Sequence, residues 1–101
     1  MTFYGKLEDA DGVELVPMLR VYMDEGPGER EGSFMLGTGK SKGVLRVLND
    51  PGDPNYRYRL VATDGRSTTL CLLGNKSIGS AGDVEVRFRA DGPLSEPPDD
   101  D

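Results

Sequence analysis

Arg57 and Arg59, and later Arg87 and Arg89, recur at i, i+2 spacing, each pair out of phase with the apolar residues of its own segment. A β-strand sends successive side chains to opposite faces, so each pair projects from the side its apolar neighbours leave. If the two strands share a sheet, four guanidinium groups lie on one outer face. Each presents a planar fork of donors suited to carboxylate or phosphate. Arg20 and Arg46 can add to them. The plainer reading is a solvated face on which arginine discourages aggregation, neutralised by Glu85 and the acidic first third of the chain.

Two lysines extend this cationic set. Gly37-Thr38-Gly39-Lys40-Ser41 suggests a phosphate loop, but the pattern needs glycine at position 34, which is Phe. It also needs a following helix, where Val44-Leu45-Arg46-Val47-Leu48 reads as a strand. A Walker-type loop is therefore rejected. Lys76-Ser77 sits in a second glycine-flanked stretch, so Lys40 and Lys76 could offer two ammonium groups to one anion. The plainer reading is two solvated loops.

Catalytic chemistry finds little support. The chain has no histidine, which excludes Ser-His-Asp and Cys-His constellations and any His-dependent zinc site. Ser-Lys neighbours at Ser41 and Ser77 lie on loops that would not hold a nucleophile against its base. Asp9-Ala10-Asp11-Gly12 with Glu14 lacks the spacing of a calcium loop and reads as a turn. Cys71 is the only cysteine. It cannot close an internal disulfide, and it reads as a packing residue in a reducing compartment. No enzyme, cofactor or metal is expected.

The elements that must position the arginines follow from alternation and turn chemistry. Tyr56 to Leu73 reads as a β-hairpin. A two-residue loop at Asp64-Gly65 would place Arg59 opposite Leu70 and mix charge with leucine. A three-residue loop, Thr63-Asp64-Gly65, sets Tyr58 opposite Leu70 and sorts the faces. Tyr56, Tyr58, Leu60 and Ala62 then join Leu70 and Leu72, and Arg57, Arg59 and Val61 join Ser67, Thr69 and Cys71. Ala10-Asp11-Gly12 repeats this chemistry, and the same register would pair Leu7 with Leu15 and Phe3 with Leu19. Pro17 interrupts Val13 to Met23 and marks an edge or a bend.

Further strands are expected at Ser33 to Gly37, at Val44 to Leu48, and at Asp83 to Ala90, where Val84, Val86, Phe88 and Ala90 point inward. Gly74 to Gly82 reads as a long loop, with a helical turn within Asn75 to Ala81. An echo between Met35–Val47 and Leu72–Arg87 (strand, glycine, Lys-Ser, strand) suits a duplication, with chance as the simpler account.

Charge is unevenly placed. The net charge of −6 divides into −5 over residues 1–31 (3 basic, 8 acidic), +4 over 32–90 (9 basic, 5 acidic) and −5 over 91–101 (0 basic, 5 acidic). The middle of the chain is therefore the cationic part. The amino terminus lacks an apolar signal region, and no apolar run reaches spanning length.

The expected protein is a single all-β domain (residues 1–91) of about seven mostly antiparallel strands, a β-sandwich or partly open barrel. An acidic, disordered tail (92–101) follows. Its expected role is a cytoplasmic, non-enzymatic protein-interaction or accessory module. The candidate binding residues are Arg57, Arg59, Arg87, Arg89, Lys40 and Lys76. The alternatives are an anion binder, taking single-stranded nucleic acid or a nucleotide, and a structural or inhibitory component of a phage or other large assembly. Nucleic acid suits the face less well, because the hairpin register turns Tyr56 and Tyr58 inward and strand platforms need outward aromatics. The acidic tail could itself cover the arginines until a partner displaces it.

Overall fold

The computed structural model describes residues 1–25, 28–37, 41–78 and 82–96. Six strands and one short helix follow in order: β1 (Thr2–Glu8), β2 (Glu14–Met23), β3 (Arg30–Leu36), α1 (Lys42–Leu48), β4 (Tyr58–Ala62), β5 (Ser67–Ile78) and β6 (Asp83–Ala90). The strands pair antiparallel in the order β1-β2-β3-β6-β5-β4, and β4 returns to β1 to close a barrel. Two three-stranded meanders are thus joined twice, by β1 against β4 and by β3 against β6. The small all-β domain stands. The seventh strand does not, and a closed barrel replaces the sandwich or partly open barrel.

The central hairpin has the register that its alternation demands. Tyr58 pairs with Leu70 and Leu60 with Thr68. The Ala62 N–H donates to the Arg66 carbonyl at 2.8 Å, and the Gly65 N–H to the Ala62 carbonyl at 2.9 Å. Gly65 has φ of 93°, a conformation that glycine adopts without steric cost. Tyr58, Leu60, Leu70 and Leu72 are buried with Phe88 and Phe34, whose rings stack with centroids 5.9 Å apart.

The first hairpin departs from expectation. Gly12 is left-handed, with φ of 83°, and Asp9 Oδ1 accepts from the N–H groups of Asp11 and Val13, each at 2.9 Å. That carboxylate is occupied by the turn. The register then slips twice, so Leu7 pairs with Val16 and Phe3 with Val21, not with Leu15 and Leu19. Leu15 is one extra residue on β2, and the Pro17-Met18 step supplies the second. Proline has no N–H for the ladder, so a bulge is where a paired strand can hold it. Beyond it, Leu19, Val21 and Met23 are buried while Arg20 and Tyr22 are exposed.

Val44 to Leu48 is helical, not extended. The Ser41 hydroxyl oxygen accepts from the Val44 N–H at 3.2 Å, capping the first turn. Val44 and Val47 are buried one turn apart, while Leu45 and Arg46 face out. A run of five residues carries too little periodicity to separate the two forms. Gly43 decides the docking: a Cβ there would lie 1.8 Å from the Leu15 carbonyl oxygen of β2. A helix therefore does follow Gly39-Lys40-Ser41, which removes one objection to a phosphate loop. The other remains, since position 34 is the buried Phe34.

From Gly74 to Ile78 the expected loop, with its helical turn, is instead strand, and residues 79–81 fall outside the described residues. β5 runs on to Ile78 after a one-residue bulge between Leu72 and Gly74, and Ile78 pairs with Asp83. The echo between Gly43–Val47 and Asp83–Arg87 fails too, because one copy is helix and the other strand. The equivalence the topology does contain is between meanders, with Ala10-Asp11-Gly12 and Thr63-Asp64-Gly65 at matching hairpins. Gly92 to Glu96, the start of the expected tail, lies against the barrel. Ser95 and Ser67 exchange two backbone hydrogen bonds of 2.8 and 2.9 Å, and Leu94 packs on the core. Residues 97–101 fall outside the described residues. Among the described residues no helix is long and apolar enough to cross a membrane.

A candidate docking face on the outer barrel wall

Strand order decides which outward side chains become neighbours. β5 separates β4 from β6, so the two arginine pairs do share one outer wall. Arg59 pairs with Thr69 on β5, and Arg89 pairs with Cys71 on β5 and with Glu31 on β3. Arg87 pairs with Gly74 and with Ser33. Arg57 stands just before β4.

Three of the four arginines are engaged within the molecule. Arg57 Nε donates to both Asp91 oxygens, at 2.9 and 3.2 Å, and its Nη1 donates to the Pro54 carbonyl. Thr69 Oγ1 donates to the same Asp91 carboxylate at 2.5 Å. The Thr69 hydroxyl and the Arg57 guanidinium together hold the Asp91 carboxyl below its usual range. Arg59 Nη2 reaches Ser67 Oγ at 3.4 Å, and Arg89 Nη2 lies 3.8 Å from Glu31 Oε1. Arg87 makes no ion pair with any described residue.

Arg87 has neighbours that the strand reading did not connect to it. One row across the wall runs Thr2, Tyr22, Ser33, Arg87, Gly74 over β1, β2, β3, β6 and β5. The next row holds the pair Tyr4 and Arg20, and the series Met35, Glu85, Lys76. Tyr4, Tyr22 and Met35 are 52%, 51% and 42% exposed, large apolar surfaces on a wall that also carries Arg20, Arg87 and Lys76, which have no ion pair among the described residues. Arg87 forms the shared wall of two shallow grooves. One, of 220 Å³, is lined by Leu73, Lys76 and Glu85, and the other, of 190 Å³, by Tyr22, Glu31 and Ser33.

Of the six candidate residues, the structure gathers Arg57, Arg59, Arg87 and Arg89 on one wall. It also puts Lys76 there, on β5 and not in a loop. The expected anion site between two Lys-Ser loops therefore loses the loop of Lys76 and Ser77, while Lys40 lies outside the described residues. Tyr22, Tyr4 and Met35 were missed. Their outward phase was legible from alternation, Tyr22 beside Val21 and Met23, Tyr4 beside Phe3 and Gly5, and Met35 between Phe34 and Leu36. Their adjacency to Arg87 was not, because it depends on β3 pairing with β6 across half the chain.

The remaining polar cluster closes the barrel mouth. Arg46 Nη2 and the Ala10 N–H both donate to the Tyr56 hydroxyl, at 2.9 and 3.1 Å, and the Arg46 guanidinium lies 5.4 Å from the Tyr56 ring centroid. Tyr58 donates to Asp50, which also accepts from the Gly52 N–H at 2.7 Å. These groups satisfy one another and tie α1, β4 and the first hairpin together. Among the described residues no group of three His, Cys, Asp or Glu side chains is placed to hold a metal ion.

Comparison with protein-family models, with curated proteins and with solved structures finds no match.

Proposed function

We propose that the protein is a non-enzymatic protein-interaction module. It docks its partner on the outer wall of β2, β3, β6 and β5, centred on Arg87. The supporting observation is the placing of an exposed Arg87, without an ion pair among the described residues, between two grooves, in a row with Tyr22 and beside the row of Met35. Tyrosine, methionine and arginine are the side chains that protein interfaces enrich, and a few such residues carry most of the binding energy. Arg57, Arg59 and Arg89 form the surround, already tied to Asp91, Ser67 and Glu31. The single cysteine, buried and unpaired, suits a cytoplasmic setting.

A second reading, single-stranded nucleic acid, draws on Tyr4 and Tyr22 standing outward near Arg20 and Arg87, an arrangement that stacks bases and contacts phosphates. Against it stand Glu31 and Glu85 on the same wall and a net charge of −6, which repels a polyanion at long range.

The test compares complexes isolated from the native source with three baits: wild type, Tyr22→Ala/Arg87→Ala, and Arg57→Ala/Arg59→Ala. The expected result is a protein retained by the first and third and lost by the second. Identical recovery by all three removes this face as the docking site. Recovery of nuclease-sensitive material by wild type alone favours the second reading.

A further inference from the structure

β4 covers β5 only from Ser67 to Leu70, whereas β6 pairs with β5 from Leu70 to Ile78. Among the described residues the far side of β5 beyond Leu70 therefore lacks a neighbouring strand. The Asp91 N–H donates to the Thr69 carbonyl, so odd-numbered residues of β5 face β6 before the bulge. The bulge shifts the ladder by one, after which Gly74, Lys76 and Ile78 face β6, and Asn75 and Ser77 turn their N–H and C=O groups to the open side. Among the described residues no backbone hydrogen bond meets Asn75 or Ser77 there. The Asn75 amide donates to the Leu48 carbonyl at 3.2 Å, which anchors this stretch to α1 and holds it ready for a partner.

Given the docking face proposed above, we infer that the partner enters as an extended, acidic segment that adds to the open edge of β5 at Asn75–Ile78. Its outward side chains lie over the groove of Leu73, Lys76 and Arg87. Backbone pairing supplies affinity in such strand addition, and the flanking pockets supply selectivity. The two cations at this groove outnumber its one carboxylate, Glu85, and neither has an ion pair among the described residues, so a carboxylate on the added strand completes them. Leu73 and Ile78, 39% and 37% exposed, offer apolar contact on either side of Lys76. A second copy of this chain is a poor occupant, because antiparallel pairing of two such edges brings two Lys76 ammonium groups together.

The test uses the intact protein and three fluorescein-labelled peptides of about eight residues, long enough to span the edge. They are alternating Val-Glu, alternating Val-Lys, and Val-Glu with alternate amides N-methylated. Val-Glu is expected to bind at least about tenfold more tightly than either of the others. Hydrogen exchange of the Asn75 and Ser77 amides should slow when it is bound. Lys76→Glu/Arg87→Glu should reverse the preference between Glu and Lys peptides, and Ser77→Pro should weaken binding by removing an edge donor. If the Ser77→Pro protein does not fold, the exchange measurement on wild type decides.

Equal binding of the N-methylated peptide overturns strand addition while leaving the docking face intact. Equal binding of Val-Lys overturns the acidic preference. Absence of binding by every peptide at millimolar concentration overturns the inference, and partner capture by Tyr22 and Arg87 then judges the docking face separately. Protection of the same amides by oligothymidylate and not by peptide assigns the edge to nucleic acid and overturns it too.

Discussion

The Tyr58 hydroxyl donates to the Asp50 carboxylate at 2.5 Å, joining the innermost tyrosine of the barrel to the loop that leaves α1. Tyr58 is 2% exposed, so its ring serves the core while its polar end fixes the barrel mouth. The same loop carboxylate accepts from the Gly52 N–H, so one group orders both the turn and the helix connection. Burial first, and then the Asp50 carboxylate, push the Tyr58 hydroxyl well above the usual tyrosine range.

Tyr58→Phe removes the donor and leaves Asp50 with its backbone partners, the N–H groups of Gly52 and Asp53. The expected loss is about 1–2 kcal/mol, with a fall of several degrees in Tm. The folded-state pKa is raised, so this contribution is fully present below pH of about 10, the unfolded value, and is lost as pH climbs above it. Urea titrations at neutral pH and at strongly alkaline pH should show a gap between wild type and variant that narrows in alkali. A gap that widens would contradict the Asp50 contact.

Gly43→Ala should reverse the usual sign of a helix substitution. Alanine in place of glycine normally gains up to about 1 kcal/mol in a helix interior. Here the new methyl would meet the Leu15 carbonyl at 1.8 Å, and backbone gives way poorly. A net loss of about 2 kcal/mol or more is expected, read by thermal unfolding. Neutral or improved stability would show that α1 docks on β2 less closely.

Asp91→Asn should matter little to stability at neutral pH, because the Asp91–Arg57 pair is over 40% exposed on both sides. Such pairs are worth under about 1 kcal/mol. The Asp91 carboxyl is held below its usual range by Thr69 and then Arg57. Its contribution is therefore present above pH of about 4, the unfolded value, and is lost as pH falls through the folded-state value. Acid titration followed by circular dichroism should show a shallower acid limb in the variant. Added salt should shrink the difference between the two proteins.

Arg57 and Arg59 are engaged by Asp91 and Ser67, whereas Arg87 is free of ion pairs with the described residues. Arg57→Ala/Arg59→Ala should change partner affinity by less than about threefold, and Tyr22→Ala/Arg87→Ala by at least about tenfold. Isothermal titration with the captured partner gives both numbers. The opposite ranking would move the contact to the β4 side of the wall.

Alternation and turn chemistry determined much of this barrel before any tertiary contact. A period of two put Tyr58, Leu60 and Phe88 inside and all four paired arginines outside, and Asp64-Gly65 set the hairpin register, because a slip of one residue would have exposed the entire apolar face. Features that rest on distant partners were settled by the fold. Val44 to Leu48 has apolar residues enough for either form, and it is a helix because Ser41 caps it and Gly43 lets it lie on β2. Pro17 announced an irregularity without saying that two extra residues would be absorbed there. The continuation of β5 past Gly74 needed β6 to pair with it. Which arginine lacked an ion pair among the described residues was a tertiary matter as well: Asp91 and Glu31 reach Arg57 and Arg89 only once β3, β6, β5 and β4 lie side by side. Strand order is the sum of many long-range pairings, and no local window of residues contains it.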